Sequence, residues 1–281
     1  MTTTQKIIKY LAIAFAIFLI VSIIGGVFGA VGIFGGFFSK KQTVSEMQTY
    51  SVTEDIKYLD IDISAARIDI KIGDSFSVES NIKNLQVVQK SNRLVIKQEK
   101  SAKIIGADKL NDAEITLFIP AKTVFNEVDI STAAGKLTVD SITSSILDLE
   151  LGAGSATINT LSILGSADID GGAGQINILS GAINNLDLDM GVGQLNLTSA
   201  LRGNCSFDCG VGEVNVTLIG TSDDYRLSLE KGIGKIYVDD STISKTDIIG
   251  AGPNHVKIDG GVGTINLKIK DATAFECAPN A

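Results

Sequence analysis

An all-β protein, built as a single-chain parallel β-solenoid of about 19 residues per coil behind one N-terminal transmembrane helix, is the fold class this sequence predicts. Three observations carry it. A Gly-apolar-Gly step recurs along the second half of the chain. Each step sits between short stretches in which apolar and polar residues alternate. Ahead of them runs an uncharged apolar segment from Tyr10 to Phe38. The alternative all-β fold is a β-sandwich, but a sandwich has no need of the same corner at near-constant spacing.

The bulk properties fit. Of 281 residues, 44% are hydrophobic and 20% charged, enough to bury a core and too apolar for a disordered chain. There are 29 glycines and 3 prolines, which suits a regular β architecture with tight corners. The net charge of −8 lacks the basic footprint that nucleic acid requires. Three cysteines are too few for a disulfide framework, and His255 is the single histidine, which excludes a paired-histidine metal or catalytic site.

In chain order, residues 1–9 read as a cytoplasmic tail and 10–38 as the membrane helix. That stretch contains no charge, and Ser22 is its single serine or threonine. Roughly 20 apolar residues span a bilayer, and this run is far longer than the apolar core of a cleaved signal peptide. Lys6 and Lys9 at one end nearly balance Lys40 and Lys41 at the other. The C-terminal domain is expected outside the cytoplasm because long domains translocate largely regardless of flanking charge. Gly25, Gly29, Gly32 and Gly36 have the small-residue spacing that lets a second helix approach, so a helix–helix dimer is one expected partner mode. Residues 39–55 read as a polar stalk.

Residues 56–127 read as an irregular β cap with one degenerate coil, Leu59 to Ile70. Lys90-Ser91-Asn92-Arg93 marks a hairpin turn. The solenoid proper is expected over 128–270, with a tail at 271–281. Its steps are Ala133-Ala134-Gly135, Gly152-Ala153-Gly154, Gly172-Ala173-Gly174, Gly191-Val192-Gly193, Gly210-Val211-Gly212, Gly232-Ile233-Gly234 and Gly261-Val262-Gly263. Successive offsets are 19, 20, 19, 19, 22 and 29. The two long offsets coincide with polar inserts near Thr221–Asp224 and between Asp240 and Asn254, expected as loops on one face. Each coil then consists of two half-buried strands, a glycine corner and a return. The third step position needs glycine for φ > 0 or a close backbone approach. The middle residue, always Ala, Val or Ile, is expected to point inward.

The apolar run Ile115 to Pro120, the coil Val128-Asp129-Ile130 with Gly135, and the Gly-x-Gly coils after it together resemble the β-strand-repeat "putative adhesin" family of uncharacterised bacterial envelope proteins, which includes LiaG-like proteins. The likeness covers roughly residues 56–270. It implies a solenoid outside the membrane and a link to envelope stress. It supplies no catalytic residues.

Aligning coils on the step produces columns. Glu150, Asp170, Asp189, Asp208, Glu230 and Asp259 share one, with Asp62 in the early coil. Asp129, Asp148, Asp168 and Asp187 share another, fading to Ser206 and Ser228. Carboxylates stacked at strand spacing repel, which either marks a solvated face that discourages stray strand pairing or makes Glu150, Asp170, Asp189 and Asp208 candidate divalent-cation ligands, with calcium the conceivable cofactor. One column offers too few oxygens for the 6–8 ligands calcium takes. The Gly-rich calcium nonapeptide is excluded, since Ile176 and Ile265 stand where it needs Asp. Phosphate loops are excluded too, for want of Gly-Lys-Ser/Thr before a helix. Asn177, Asn196, Asn215 and Asn266, preceded by Thr138 and Thr157 and interrupted by Tyr237, suggest a hydrogen-bonded ladder or a glycan-binding strip. Cys205 and Cys209 fall in the inward register as core residues. Lys83, Lys90, Arg93, Lys97, Lys100 and Lys103 form a basic patch suited to anionic lipid or wall polymer.

No catalytic constellation stands out. The expected function is a non-enzymatic, membrane-anchored surface, adhesion or envelope interaction module. The alternatives are an envelope-stress regulatory partner, and a polysaccharide-acting β-helix enzyme that would need a basic residue beside its acids, with Lys257 and Lys231 the candidates.

Overall fold

Alternating apolar residues two apart cannot all be buried by one hairpin, so the chain coils and lets each turn bury its inward row on the next. The computed structural model describes residues 44–53, 55–98, 113–239, 241–243 and 247–271. The tail 1–9, the apolar segment 10–38 with its glycines, the C-terminal residues after Asp271 including Cys277, and Lys100 and Lys103 all lie outside them. Among the described residues no helix is long and apolar enough to cross a membrane.

The degenerate coil is a full rung. Strand β2 (Tyr58–Gly73) lies parallel to the start of β7 (Phe125–Ile178), with Leu59 level with Val128, Ile61 with Ile130, Ile68 with Leu137 and Ile70 with Val139. β7 is long because the backbone stays extended through its corners, and three coils are folded within it. β8 (Gly181–Asn184), β9 (Leu186–Arg202) and β10 (Asn204–Ile219) follow, again in parallel register. Their inward rows make one core in which Ile61, Ile169, Leu188, Leu195 and Phe207 are essentially inaccessible to solvent.

The return leg is itself a strand. Leu161–Ile163 pairs in parallel with Gly181–Ile183, and Ala182–Asn184 with Ala200–Arg202, so these coils have three sides. Ile163, Ile183 and Leu201 point inward from that side.

The region before the stack divides over the two legs of β2. The hairpin of β4 (Leu85–Lys90) and β5 (Arg93–Gln98) lies on the first leg, turning at Ser91-Asn92 as expected, with Ser91 at φ 52°. β6 (Glu114–Pro120) lies on the second leg, followed outward by β3 (Ser77–Ile82) and β1 (Val44–Ser51). Much of the expected stalk 39–55 is therefore β1. Its backbone completes a sheet whose outer edge would otherwise be bare.

At the other end the chain abandons sequential order. β11 (Tyr225–Val238) does not stack on β10. The last strand, β14 (Asn254–Lys270), lies between them, with Val262 level with both Val211 and Ile233. The insert expected as a loop instead supplies β12 (Ser241–Ile243) and β13 (Asp247–Ile249). Both pair antiparallel on the outer edge of β11, at Ile236–Val238 and Leu227–Leu229. The physical reason is edge protection: short strands cover the terminal coil's open hydrogen-bonding edge, while the uncovered coil goes to the interior. With β2, the three coils of β7, and β9, β10, β14 and β11, the stack has eight rungs.

The corners differ from expectation in one respect. Leu151 packs against the core and Ala156 is fully buried, although they are five positions apart, so strict alternation breaks between them. The middle residue of each step is carried over the outside of the corner: Val262 is 40% exposed and Ile233 70%. The residue before the step turns inward instead, as Met190 does. In spatial order the outer ridge runs Ala134, Ala153, Ala173, Val192, Val211, Val262, Ile233, widening toward the C-terminal end, while Ala65, level with Ala134 in the first rung, is buried.

Candidate functional site

The last glycine of each step fixes how closely the coils approach. Gly193 has φ +149°, and a Cβ built on it would overlap the carbonyl oxygen of Gly174 in the rung below. Side chains are excluded from these corners, and the columns beside them align at the strand spacing of about 4.8 Å.

The first acidic column borders a groove of about 630 Å³. Glu150, Asp170, Asp189, Asp208 and Asp259 line it, together with Gly152, Gly172, Gly191, Gly210 and Gly261. The candidate cation ligands Glu150, Asp170, Asp189 and Asp208 thus stand in one row. Asp259 lies between Asp208 and Glu230, because β14 lies between β10 and β11. In the upper rungs Ser131 occupies the column and its hydroxyl donates to Glu150 at 3.1 Å. Among the described residues no three acidic, thiol or imidazole groups converge to hold one metal ion. The column is a line of separate carboxylates, one per rung.

The second column is Asp129, Asp148, Asp168 and Asp187, and Asp60 extends it by one rung, level with Asp129. Partial burial pushes the carboxyls of Asp129, Asp168 and Asp189 above their ordinary range, and neighbouring carboxylates add to the shift. Two unit charges 4 Å apart repel by about 1 kcal/mol even at the dielectric of water. Relief comes at the ends. Lys97 pairs with Asp60 at 3.0 Å, and this bond raises the lysine's pKa. Ser206 donates to Asp187 at 2.6 Å. Lys257, level with Ser206, bonds Asp259 at 2.6 Å and is likewise raised. Lys257, the basic residue in the second acidic column, is thus already engaged by a neighbouring acid. Asp60 and Asp259's true place were missed in the sequence: the first stands in the early coil two residues before Asp62 and is level with Asp129, and the second depends on stacking order.

The Asn column is a ladder. Asn196 donates to Asn177 at 2.8 Å, Asn215 to Asn196 at 2.9 Å and Asn266 to Asn215 at 2.8 Å, while Asn177 reaches Thr157 at 3.4 Å. Tyr237 does not interrupt it. Because β14 precedes β11 in space, Tyr237 lies beyond Asn266 at the ladder's end. A parallel row runs from Gln175 to Gln194 at 3.1 Å and on to Glu213 at 3.5 Å.

The basic patch is partly neutralised. Arg93 pairs with Glu127 at 3.6 Å and lies over the Tyr58 ring at 4.7 Å, and Lys97 is held by Asp60, leaving Lys83 and Lys90 exposed on the β3–β5 edge. Cys205 is buried and Cys209 half-buried, both as free thiols, with Cys209 level with Met190 as the register predicted. Burial, then the charges of Asp208, Asp189 and Asp259, push the Cys209 thiol up to about 12, so it stays protonated and unreactive.

The family model for Toastrack DUF4097 matches residues 56–271, the whole run from the first rung to the end of β14. The chain belongs to the Toastrack family. No curated protein matches it. Among solved structures this Toastrack chain is similar to a "putative cell adhesion protein" from Clostridium sporogenes, 16% identical over 80% of this chain and 99% of the other, with a TM-score of 0.33. It is also similar to "putative adhesins" from Bacteroides fragilis (15% identity, 82% and 98% covered, TM-score 0.34) and Parabacteroides distasonis (14%, 80% and 98%, TM-score 0.42).

Proposed function

We propose that this Toastrack chain is a membrane-anchored surface module. Residues 10–38 hold it in the bilayer, the β-solenoid stands outside the cytoplasm, and the domain works by contact with envelope material or a neighbouring surface and not by catalysis. One observation supports this most. The outer faces are continuous columns of like residues, acidic and amide, running rung after rung, with the groove spread along the stack. A row repeated at strand spacing matches an extended partner with its own repeat; a catalytic site needs different groups converging on one point. The glycines of 10–38 would let two such chains associate through their anchors.

The test uses the full chain in cells. Protease added to intact cells should degrade the solenoid while spheroplast lysis adds no further cleavage. The purified full chain in lipid nanodiscs should co-sediment with isolated envelopes. A domain reached by protease only after lysis removes the surface reading.

A further inference from the structure

The Asn ladder is directional. Every amide nitrogen donates to the rung before it, from Asn266 through Asn215 and Asn196 to Asn177. A planar amide that presents its nitrogen on one side presents its oxygen on the other. Asn266 is the last amide, so its Oδ1 faces the rung of Tyr237, and no described residue donates to it. Its nitrogen also reaches Glu213 at 3.4 Å, which fixes the amide's orientation.

At this point the surface opens into a hollow of about 450 Å³ lined by Asn215, Tyr237, Asn266, Leu267 and Lys268. That is the size range of small-ligand sites. Tyr237 is half-buried, with an aromatic face in place of the amide that every neighbouring rung from Asn177 to Asn266 carries. Among the described residues no carboxylate lines the hollow, unlike the acidic groove.

We infer that this hollow binds an N-acetylated pyranose of an oligosaccharide. The acetamido N–H enters the hollow beside Tyr237 and donates to Asn266 Oδ1. The C–H face of the sugar ring packs on the Tyr237 ring, which presents an apolar body beside a polar tip. Lys268, two residues along β14 from Asn266, lines the same hollow. An unacetylated sugar can stack but leaves the ladder's end acceptor unpaired, and unmade bonds of this kind discriminate strongly. The assignment rests on the surface reading above, because it gives that surface its ligand class.

The experiment is calorimetric titration of the full chain in nanodiscs with chitohexaose and, in parallel, cellohexaose, which has the same backbone without acetamido groups. Chitohexaose should bind at least tenfold more tightly. Tyr237→Ala should weaken it at least tenfold and Tyr237→Phe by less than threefold. Asn266→Leu should bring the two sugars to equal affinity. Circular dichroism of each variant separates loss of binding from loss of fold, and Tyr237→Phe keeps the test open if Tyr237→Ala unfolds. No chitohexaose binding at millimolar concentration, equal binding of cellohexaose to the unsubstituted chain, or binding untouched by a folded Tyr237→Ala overturns the site. If protease reaches the solenoid on intact cells while these fail, the saccharide site falls and the surface reading stands. If protease does not reach it, the surface reading falls whatever the titrations give.

Discussion

The middle of the stack and its C-terminal end are made of the same kind of coil, yet only one of them follows the chain. From β7 through β9 to β10 each rung lies on the one before it in sequence. Beyond β10 the next coil in sequence, β11, stands one position too far out and the last coil fills the gap. Coils that share a register are interchangeable neighbours: the level of Cys205 accepts Val256, and the level of Val256 accepts Leu227 just as well. Repeats therefore set alignment and leave order to the connections. The single-residue connection between β9 and β10 keeps those rungs adjacent, the turn Gly220–Asp224 after β10 carries β11 one rung further out, and the connection of Asp239 to Pro253 wraps the terminal edge with β12 and β13 before β14 returns to the gap.

The sharpest way to break this contrast is to remove what enforces it. Ser206 and Ser228 both flank Lys257, so they stand two strand spacings apart, beyond disulfide reach. In a chain carrying Ser206→Cys and Ser228→Cys, with Cys205, Cys209 and Cys277 replaced by Ala, oxidation should give no cross-link. Ending the same chain at Asp239 removes β12 to β14 and should let β11 pair directly with β10. Cross-linking should then approach completion, read by mass spectrometry; absence of a bond in a folded truncated chain would show that β11 cannot occupy the inner place.

Next in size is the corner glycine. Gly212→Ala, in the sequential part of the stack, combines a φ of +147° with overlap on the carbonyl of Gly193. It should cost on the order of 3 kcal/mol in urea unfolding. At Ala66, the first rung, an alanine already stands, so Ala66→Gly should change stability by less than about 1 kcal/mol.

Asn196→Ala removes two ladder bonds, one given and one received, and should cost about 1–2 kcal/mol. Tyr237→Asn at the rearranged end should cost much less, because no ladder bond depends on Tyr237.

The smallest effect is that of pH. The folded-state carboxyls of Asp129, Asp168 and Asp189 lie above the ordinary value of 3.8, so the native state binds protons more readily than the unfolded chain. Stability from this source is complete below the unfolded value and is lost as pH rises through the raised values. The Tm should therefore climb slightly as pH falls toward the ordinary carboxylate value of 3.8. The side chains are largely solvent-screened, so the gain is at most a few tenths of a kcal/mol, and added salt should erase it. Asp224 acts oppositely, since Thr221 donates to it from backbone and hydroxyl and holds it low. Its contribution is lost only below the ordinary carboxylate range, outside this window. A Tm that falls as pH is lowered toward that ordinary value would contradict the acidic columns' role as a mild strain.

The contrast also shows what could be read from residues alone. The glycine step, the flanking apolar pairs, the inward cysteines and the acidic and amide columns were legible, because each follows from local alternation and a fixed offset. The outward turn of Val262 and Ile233 was not. Apolar character suggested burial, while the break in alternation between Leu151 and Ala156 carries that position outside. Strand β1 was hidden because its polar residues lie on an exposed edge and carry no burial pattern.

The sequence by itself determined that this protein is a stack, where each coil turns, and which residues share a column, since period and parity are properties of one strand. Tertiary structure alone decided which coil touches which, and therefore that Asp259 stands beside Asp208, that the Asn ladder is unbroken, and that Tyr237 closes its end. The physical reason is that parallel pairing between near-identical coils has almost the same energy in any order. The choice falls to chain connectivity and to the cost of leaving an edge unpaired, and neither is written in the repeat.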